Sequence, residues 1–174
     1  KVQLEKYPVE SAMVLGIAGG NGLEHIDRSK YRKLFAIDIN DEYIAAVNKR
    51  YCDLGDILEC KKIDVINEWD LLPECQLVIA DLFVEYVGYE SFKNAVLKTD
   101  ARFVSCIIQI NAGEKTWVSD SPYIHAFDGL DAVHHQMDED ELTLAMQQIG
   151  FTACGRNEFN LPNGKKFIML DYRK

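Results

Sequence analysis

The sequence contains no apolar run approaching the ~20 residues that cross a bilayer, and its start, Lys1 to Ser11, lacks the basic, apolar and small-residue regions of a signal peptide. Both absences point to a cytoplasmic protein with no membrane partner. Positive charge is also short. Lys and Arg number 19 against 28 Asp and Glu, a formal charge of −9. Such an acidic balance repels phosphate backbones and argues against a nucleic-acid partner. The local basic group Arg28, Lys30, Arg32 and Lys33 reads as a solvated loop. No C-x-x-C occurs among Cys52, Cys60, Cys75, Cys106 and Cys154. An odd, widely spaced set excludes a disulfide framework and a zinc site and fits reduced thiols. Cys106 lies in an apolar run and reads as a small core residue. Repeats, low-complexity stretches and interdomain linkers are missing too, so the expectation is one domain over residues 1–174.

What is present is strand followed by helix, repeated. Short apolar runs at Met13–Ala18, Leu34–Ile39, Leu58–Ile63, Leu77–Ala80 and Phe103–Ile110 suit a parallel sheet covered on both faces. Asn40 can cap a helix that carries Tyr43, Ile44, Val47 and Tyr51 at helical spacing. Phe83 to Leu97 sets Phe83, Val84, Val87, Phe92, Val96 and Leu97 near one side. Asp138 with Glu141 starts a third helix, Leu142, Ala145, Met146 and Ile149 form its stripe, and Gly150 ends it. A further helix is expected to begin near Gly22 and to include His25. The tail alternates loosely over Phe151–Phe159, turns at Leu161-Pro162-Asn163-Gly164 and ends in the run Phe167–Tyr172, a hairpin with an antiparallel strand. The fold class is therefore α/β: a doubly wound, mostly parallel sheet. The long irregular segment 111–136 suits a functional loop better than an idle one.

The chemistry gathers where strands end. Gly16-Ile17-Ala18-Gly19-Gly20-Asn21-Gly22 follows the first strand, and glycines there let the chain turn tightly and let backbone approach a ligand. Asp38 ends the second strand, where a carboxylate can take both hydroxyls of a ribose. Its blander role is to start the next helix. Asp64 and Asp81 end the third and fourth strands on the same edge.

In that order, these segments resemble the class I S-adenosylmethionine-dependent methyltransferases, from about Met13 to Tyr172. Val14 to Gly22 is similar to that family's first motif, Ala36-Ile37-Asp38-Ile39 to the second, Ile63-Asp64-Val65 to the third and Leu77 to Leu82 to the fourth. The resemblance implies a Rossmann-like seven-stranded sheet with its last strand antiparallel beside the fifth. It implies S-adenosylmethionine as cofactor, held by Gly16, Ala18, Gly20, Asn21, Gly22, Asp38, Ile39, Asp64, Val65, Asp81 and Leu82. Two departures stand out. Gly16 replaces the family's usual acidic residue, which meets the cofactor's amino end, and Ala18 replaces a frequent glycine. Asp81-Leu82-Phe83 is also not the Asn/Asp-Pro-Pro-Tyr signature of enzymes that methylate exocyclic amines.

The implied activity is methyl transfer to a small-molecule acceptor. No catalytic residue is singled out, because sulfonium chemistry mainly asks for alignment and exclusion of water. Glu85, Tyr86 and Gln109 are the substrate-site candidates. Glu85 also reads as a charge favoured at a helix start and Tyr86 as a packing residue. Trp117, Tyr123, His125 and Phe127 suit either a lid or a satellite hydrophobic cluster. No metal site is expected from His134, His135 and the acidic run after them. Two other classes remain open. Gly16 and the short segment ahead of the first strand suit a non-catalytic cofactor-binding or regulatory domain. A nicotinamide-dependent dehydrogenase would need G-x-G-x-x-G, which the loop does not complete.

Overall fold

The computed structural model describes residues 1–110, 135–161 and 164–174. One mixed sheet carries the strands β1 (Ser11–Leu15), β2 (Lys33–Asp38), β3 (Leu58–Lys62), β4 (Leu77–Asp81), β5 (Phe103–Ile110), β6 (Thr152–Asn160) and β7 (Lys166–Arg173), in the order 3-2-1-4-5-7-6. The first five are parallel. β7 pairs antiparallel with β5, Ser105 opposite Asp171, and with β6 on its other side. The doubly wound sheet with an antiparallel terminal hairpin is thus the one the apolar runs indicated.

The inner strands β1, β2, β4 and β5 are hydrophobic on both faces because both are covered, whereas the edge strands β3 and β6 carry Glu59, Lys61, Lys62, Arg156 and Glu158. On one face Met13, Ile37, Val78, Val104, Cys106 and Leu170 pack under α3 (Val84–Thr99) and α4 (Glu139–Gln148), which supply Phe92, Val96, Leu142 and Met146. On the other, Ala12, Leu34, Ala36, Leu77 and Ile79 meet α1 (Val2–Lys6), the loop after β1 and α2 (Asp41–Arg50) through Leu4, Tyr7, Val47 and Tyr51. Both predicted caps form. Asn40 Oδ1 accepts from the Glu42 and Tyr43 N–H groups, and Asp138 Oδ1 from Asp140 and Glu141. Each satisfies donors that a helix start otherwise leaves open.

Several expectations are corrected. β1 stops at Leu15, because Gly16 has φ +72° and Ala18 φ +45°, which turns the chain out of the sheet. No α-helix follows Gly22. Leu23–His25 is a single 3₁₀ turn. Asp27 then accepts from the Ser29 N–H and hydroxyl, forming a local turn that competes with helix, and only a few residues remain before β2 begins. The stretch instead buries Leu23, Ile26 and Tyr31, whose hydroxyl donates to the Leu4 carbonyl. α3 is broken at Gly88 (φ +72°, ψ 167°), and Leu97 is 49% exposed, so it lies off the buried stripe. The segment Lys1–Val9 packs against the sheet. Lys6 Nζ reaches the fully buried Asp171 at 2.5 Å, and Ser105 Oγ donates to the same carboxylate at 2.6 Å. The basic group is used locally: Arg28 meets Asp53, Lys30 caps the Leu4 carbonyl, Arg32 meets Glu10 and Lys33 meets Glu59. No helix among the described residues is long and apolar enough to cross a membrane.

Candidate functional site

Five parallel strands deliver their carboxyl ends side by side, and backbone hydrogen bonds tie neighbouring ends together. Gly16 and Ile17 donate their N–H groups to the Ile37 carbonyl, the Ile63 N–H to the Asp38 carbonyl and the Leu82 N–H to the Ile107 carbonyl. The turn after β1, Asp38, the Asp64 turn and the Asp81–Glu85 segment therefore share one edge of the sheet. In open α/β sheets, this is the edge where ligands bind.

Asp38 joins the first two pieces. Its Oδ2 accepts from the Ala18 N–H at 2.9 Å and its Oδ1 from the Asn40 N–H at 2.9 Å. It therefore holds the glycine-rich loop against β2 and also starts α2, so the structural role and the ligand role do not exclude each other. Each oxygen keeps a lone pair for a further donor such as a ribose hydroxyl. Ile39, the next residue, is 61% exposed. Asp64 is likewise held by its own turn, with Oδ1 on the Ile66 N–H and Oδ2 on Asn67 Nδ2. Val65 beside it is buried. A Cβ added at Gly19 or Gly22 would meet nothing within 4 Å, so the loop's outer surface is open.

Gly16 behaves differently. A Cβ there would lie 2.6 Å from Phe83 Cδ2. The Phe83 ring, at the start of α3, takes the space in which a side chain at position 16 would begin. Only glycine suits that contact and the positive φ together. Gly20 is equally constrained, because its Cβ would fall 2.9 Å from Val47 and 3.0 Å from the Tyr51 ring.

The β4–β5 half of the edge holds an exposed carboxylate, Asp81, and a buried one, Glu85. Asp81 keeps part of its surface in solvent, yet protein surrounds enough of it that desolvation raises its carboxyl pKa, while the 2.7 Å bond from Gln3 Nε2 works the other way. Leu82, at φ +52°, leads into the turn before α3. Glu85 is buried at 2% exposure. Its Oε1 accepts from the Gln109 backbone N–H at 2.8 Å, and its Oε2 has no partner among the described residues. Burial raises its pKa first of all, and the charge of Asp81 adds to that. The Glu85 carbonyl accepts from the His135 N–H at 2.7 Å. Burial also raises the half-buried Tyr86.

The structure thus brings Gly16, Ala18, Asp38, Ile39, Asp64, Val65, Asp81 and Leu82 to one edge, with Glu85, Tyr86 and Gln109 beside them, while Gly20, Asn21 and Gly22 run from it to the end of α2. Glu85 does lie in the first turn of α3, as the sequence also allowed, and it is buried there. Trp117, Tyr123, His125, Phe127 and His134 lie outside the described residues. Among those described, no three His, Cys, Asp or Glu side chains gather as metal ligands. Gln3, Arg50, Tyr51 and Phe83 were not candidates. Only Phe83 had a signal, namely the unfilled space implied by glycine at position 16. The hollow lined by Glu10, Gln76, Thr99 and Arg102 lies at the opposite, amino-terminal edge of the strands and brings no comparable set of groups together.

No protein-family model matches the sequence, and no curated protein sequence matches it. Solved structures do match in three dimensions. The [4+2]-cyclase SpnF aligns with TM-score 0.73 at 8% identity, over 99% of this chain and 78% of that one. A geranyl diphosphate methyltransferase crystallised with S-adenosylmethionine aligns with TM-score 0.71 at 7% identity, over 98% and 81%. The N-methyltransferase NodS of Bradyrhizobium japonicum WM9, bound to S-adenosylhomocysteine, aligns with TM-score 0.69 at 11% identity, over 99% and 82%. The chain has the class I methyltransferase fold.

Proposed function

We propose that this chain binds S-adenosylmethionine along the carboxyl edge of the sheet and transfers its methyl group to a small-molecule acceptor. The observation that carries the reading is the joint made by Asp38, which ties the glycine-rich loop to the second strand and retains acceptor capacity on both oxygens. The residues present suit the adenosyl part of such a ligand. Asp38 would take the ribose hydroxyls, Ile39 and Val65 would flank the base, Asp64 would accept from it, and the open loop from Ala18 to Gly22 would lie along the chain to sulfur. Structural neighbours crystallised with S-adenosylmethionine or its demethylated product support the same ligand. The cofactor supplies a methyl carbon already activated by positive sulfur. This chain's residues then have to place the acceptor in line and exclude water. On the β4–β5 side, Glu85 Oε2 is a buried acceptor atom with no other duty among the described residues, and it is the group we assign to hold a proton lost by the acceptor.

A second reading, a cofactor-binding domain without methyl transfer, draws on Phe83. Its ring occupies the room that an anion at position 16 would need to meet the ligand's amino end. The neighbouring [4+2]-cyclase also shows that this fold serves other chemistry. Calorimetry with S-adenosylmethionine, S-adenosylhomocysteine and NAD tests the ligand: binding of the first two and not of NAD is expected, and binding of NAD alone overturns the proposal. Methyl transfer from labelled cofactor across an acceptor panel separates the readings. Turnover supports catalysis, and tight binding with no turnover supports the second reading.

A further inference from the structure

The loop after β1 has no helix behind it, and something else must hold its shape. The end of α2 does this. Arg50 Nη1 donates to the Gly19 carbonyl at 3.0 Å and to Asn21 Oδ1 at 2.9 Å. The Tyr51 hydroxyl lies 2.7 Å from the Gly20 carbonyl and 2.9 Å from Glu24 Oε2, sharing its proton between them. Glu24 Oε2 in turn accepts from the Gly22 N–H at 2.8 Å. Arg50 also stacks its guanidinium over the Tyr51 ring at 5.0 Å. Gly20 lets the loop approach closely enough for all of this, since any side chain would strike Val47 and Tyr51.

The bonds have a directional consequence. A trans peptide holds its N–H opposite its carbonyl. The Gly20 carbonyl accepts from the Leu23 N–H at 3.3 Å and, more closely, from the Tyr51 hydroxyl, and facing Tyr51 it turns the Asn21 N–H away from α2. Neither the Asn21 nor the Gly19 N–H has a hydrogen-bond partner among the described residues, whereas Ala18, Gly20 and Gly22 spend theirs on Asp38, Ile17 and Glu24. Two loop donors are thus left over, and both belong to residues with exposed surface.

We infer that Arg50 and Tyr51 are positioning residues of the ligand site, aiming the Asn21 N–H at an acceptor oxygen of the bound ligand while never touching it themselves. The inference rests on the proposed ligand site. It assigns to the end of one helix the work that a following helix would do by its own first turn.

The test measures S-adenosylhomocysteine affinity by calorimetry, and amide hydrogen exchange at Asn21 by NMR, on the full chain. Tyr51→Phe removes the hydroxyl that bridges the Gly20 carbonyl and the Glu24 carboxylate and should weaken binding roughly two- to tenfold. Arg50→Met should weaken it by a similar factor, because the guanidinium is exposed, and Arg50→Lys should recover part of the loss. Lys49→Met, one residue away and outside the network, should bind as wild type does. In wild type the ligand should slow exchange at Asn21, and Tyr51→Phe should lose that slowing. If Arg50→Met or Tyr51→Phe fails to fold, Arg50→Lys and the wild-type exchange still decide. Variants that bind like wild type, or Asn21 exchange that ignores the ligand in wild type, overturn the inference alone. Wild type that binds neither S-adenosylmethionine nor S-adenosylhomocysteine overturns the proposed function together with it.

Discussion

Asp38 and Asp64 sit on one half of the carboxyl edge, each oxygen accepting from a nearby N–H donor with capacity left for another, and part of their surface in water. On the other half Asp81 is exposed, more so than either, whereas Glu85 is buried, its carboxyl pKa raised by that burial and one of its oxygens without a partner among the described residues. The contrast separates two jobs. A carboxylate held in a fixed place by neighbouring N–H donors is set to receive hydroxyls, as a binding group must. One stripped of water changes its protonation readily, as a group that handles protons must. The β1–β2–β3 half is a rigid seat, and the β4–β5 half is where charge can move.

The contrast can be broken or sharpened by substitution. The largest effect should come from Gly16, at the junction of the two halves. Gly16→Val forces a β-branched residue into left-handed backbone, at a cost of about 1–2 kcal/mol, and drives it into Phe83, an overpacking cost of about 1–3 kcal/mol. Urea unfolding should show that loss, and adding Phe83→Ala should recover the overpacking part. No recovery would mean the two positions are not in contact. Asp38→Ala should come next, costing about 1.5–3 kcal/mol of affinity for S-adenosylhomocysteine, the range for hydrogen bonds to a charged group. Unchanged affinity in a folded variant removes Asp38 from the site.

Smaller effects test the β4–β5 half. Glu85 has a folded pKa raised above its ordinary 4.5. Its contribution to stability is therefore complete below pH 4.5 and is lost as pH rises through the raised value. Glu85→Gln carries no such titration. The stability of wild type relative to this variant, from urea unfolding, should fall as pH climbs from 4 toward 8. A difference that does not vary with pH shows that Glu85 is not desolvated. The smallest effect lies on the opposite side. Glu24, held by its own N–H, the Tyr51 hydroxyl and the Gly22 N–H, has its pKa lowered to about 2. It contributes stability above pH 4.5 that is lost as pH falls toward 2, and Glu24→Gln should remove that acid loss while matching the wild-type slope above pH 6.

Legibility in the sequence follows the same division. The seat is built from local features. Apolar runs end in glycine or aspartate, and Asn40 and Asp138 announce their helices, so β1 to β5, α2, α4 and the place of Asp38 at the end of β2 could be read directly, though not its bond to Ala18. The hairpin was equally plain, because a turn sequence separates its two strands. The β4–β5 half depends on contacts between distant residues. Gln3 reaches Asp81 across 78 positions, and Phe83 fills the room above Gly16. Glu85 is read locally as a charge favoured at a helix start, and its burial follows only because the start of α3 lies against β5, whose Gln109 N–H meets it. The missing helix after Gly22 had a local cause, since Asp27 offers Ser29 a competing turn. The brace from Arg50 and Tyr51 left no trace in the pattern, because a residue ending one helix gives no sign that it serves a loop thirty positions earlier.

A crystal structure grown with S-adenosylhomocysteine tests the central claim most directly. The account predicts its ribose on Asp38 and its adenine between Ile39 and Val65, with the sulfur end running past the glycine-rich loop toward Asp81. Nucleoside density at any other place, with Asp38 still bonded only to Ala18 and Asn40, would contradict it.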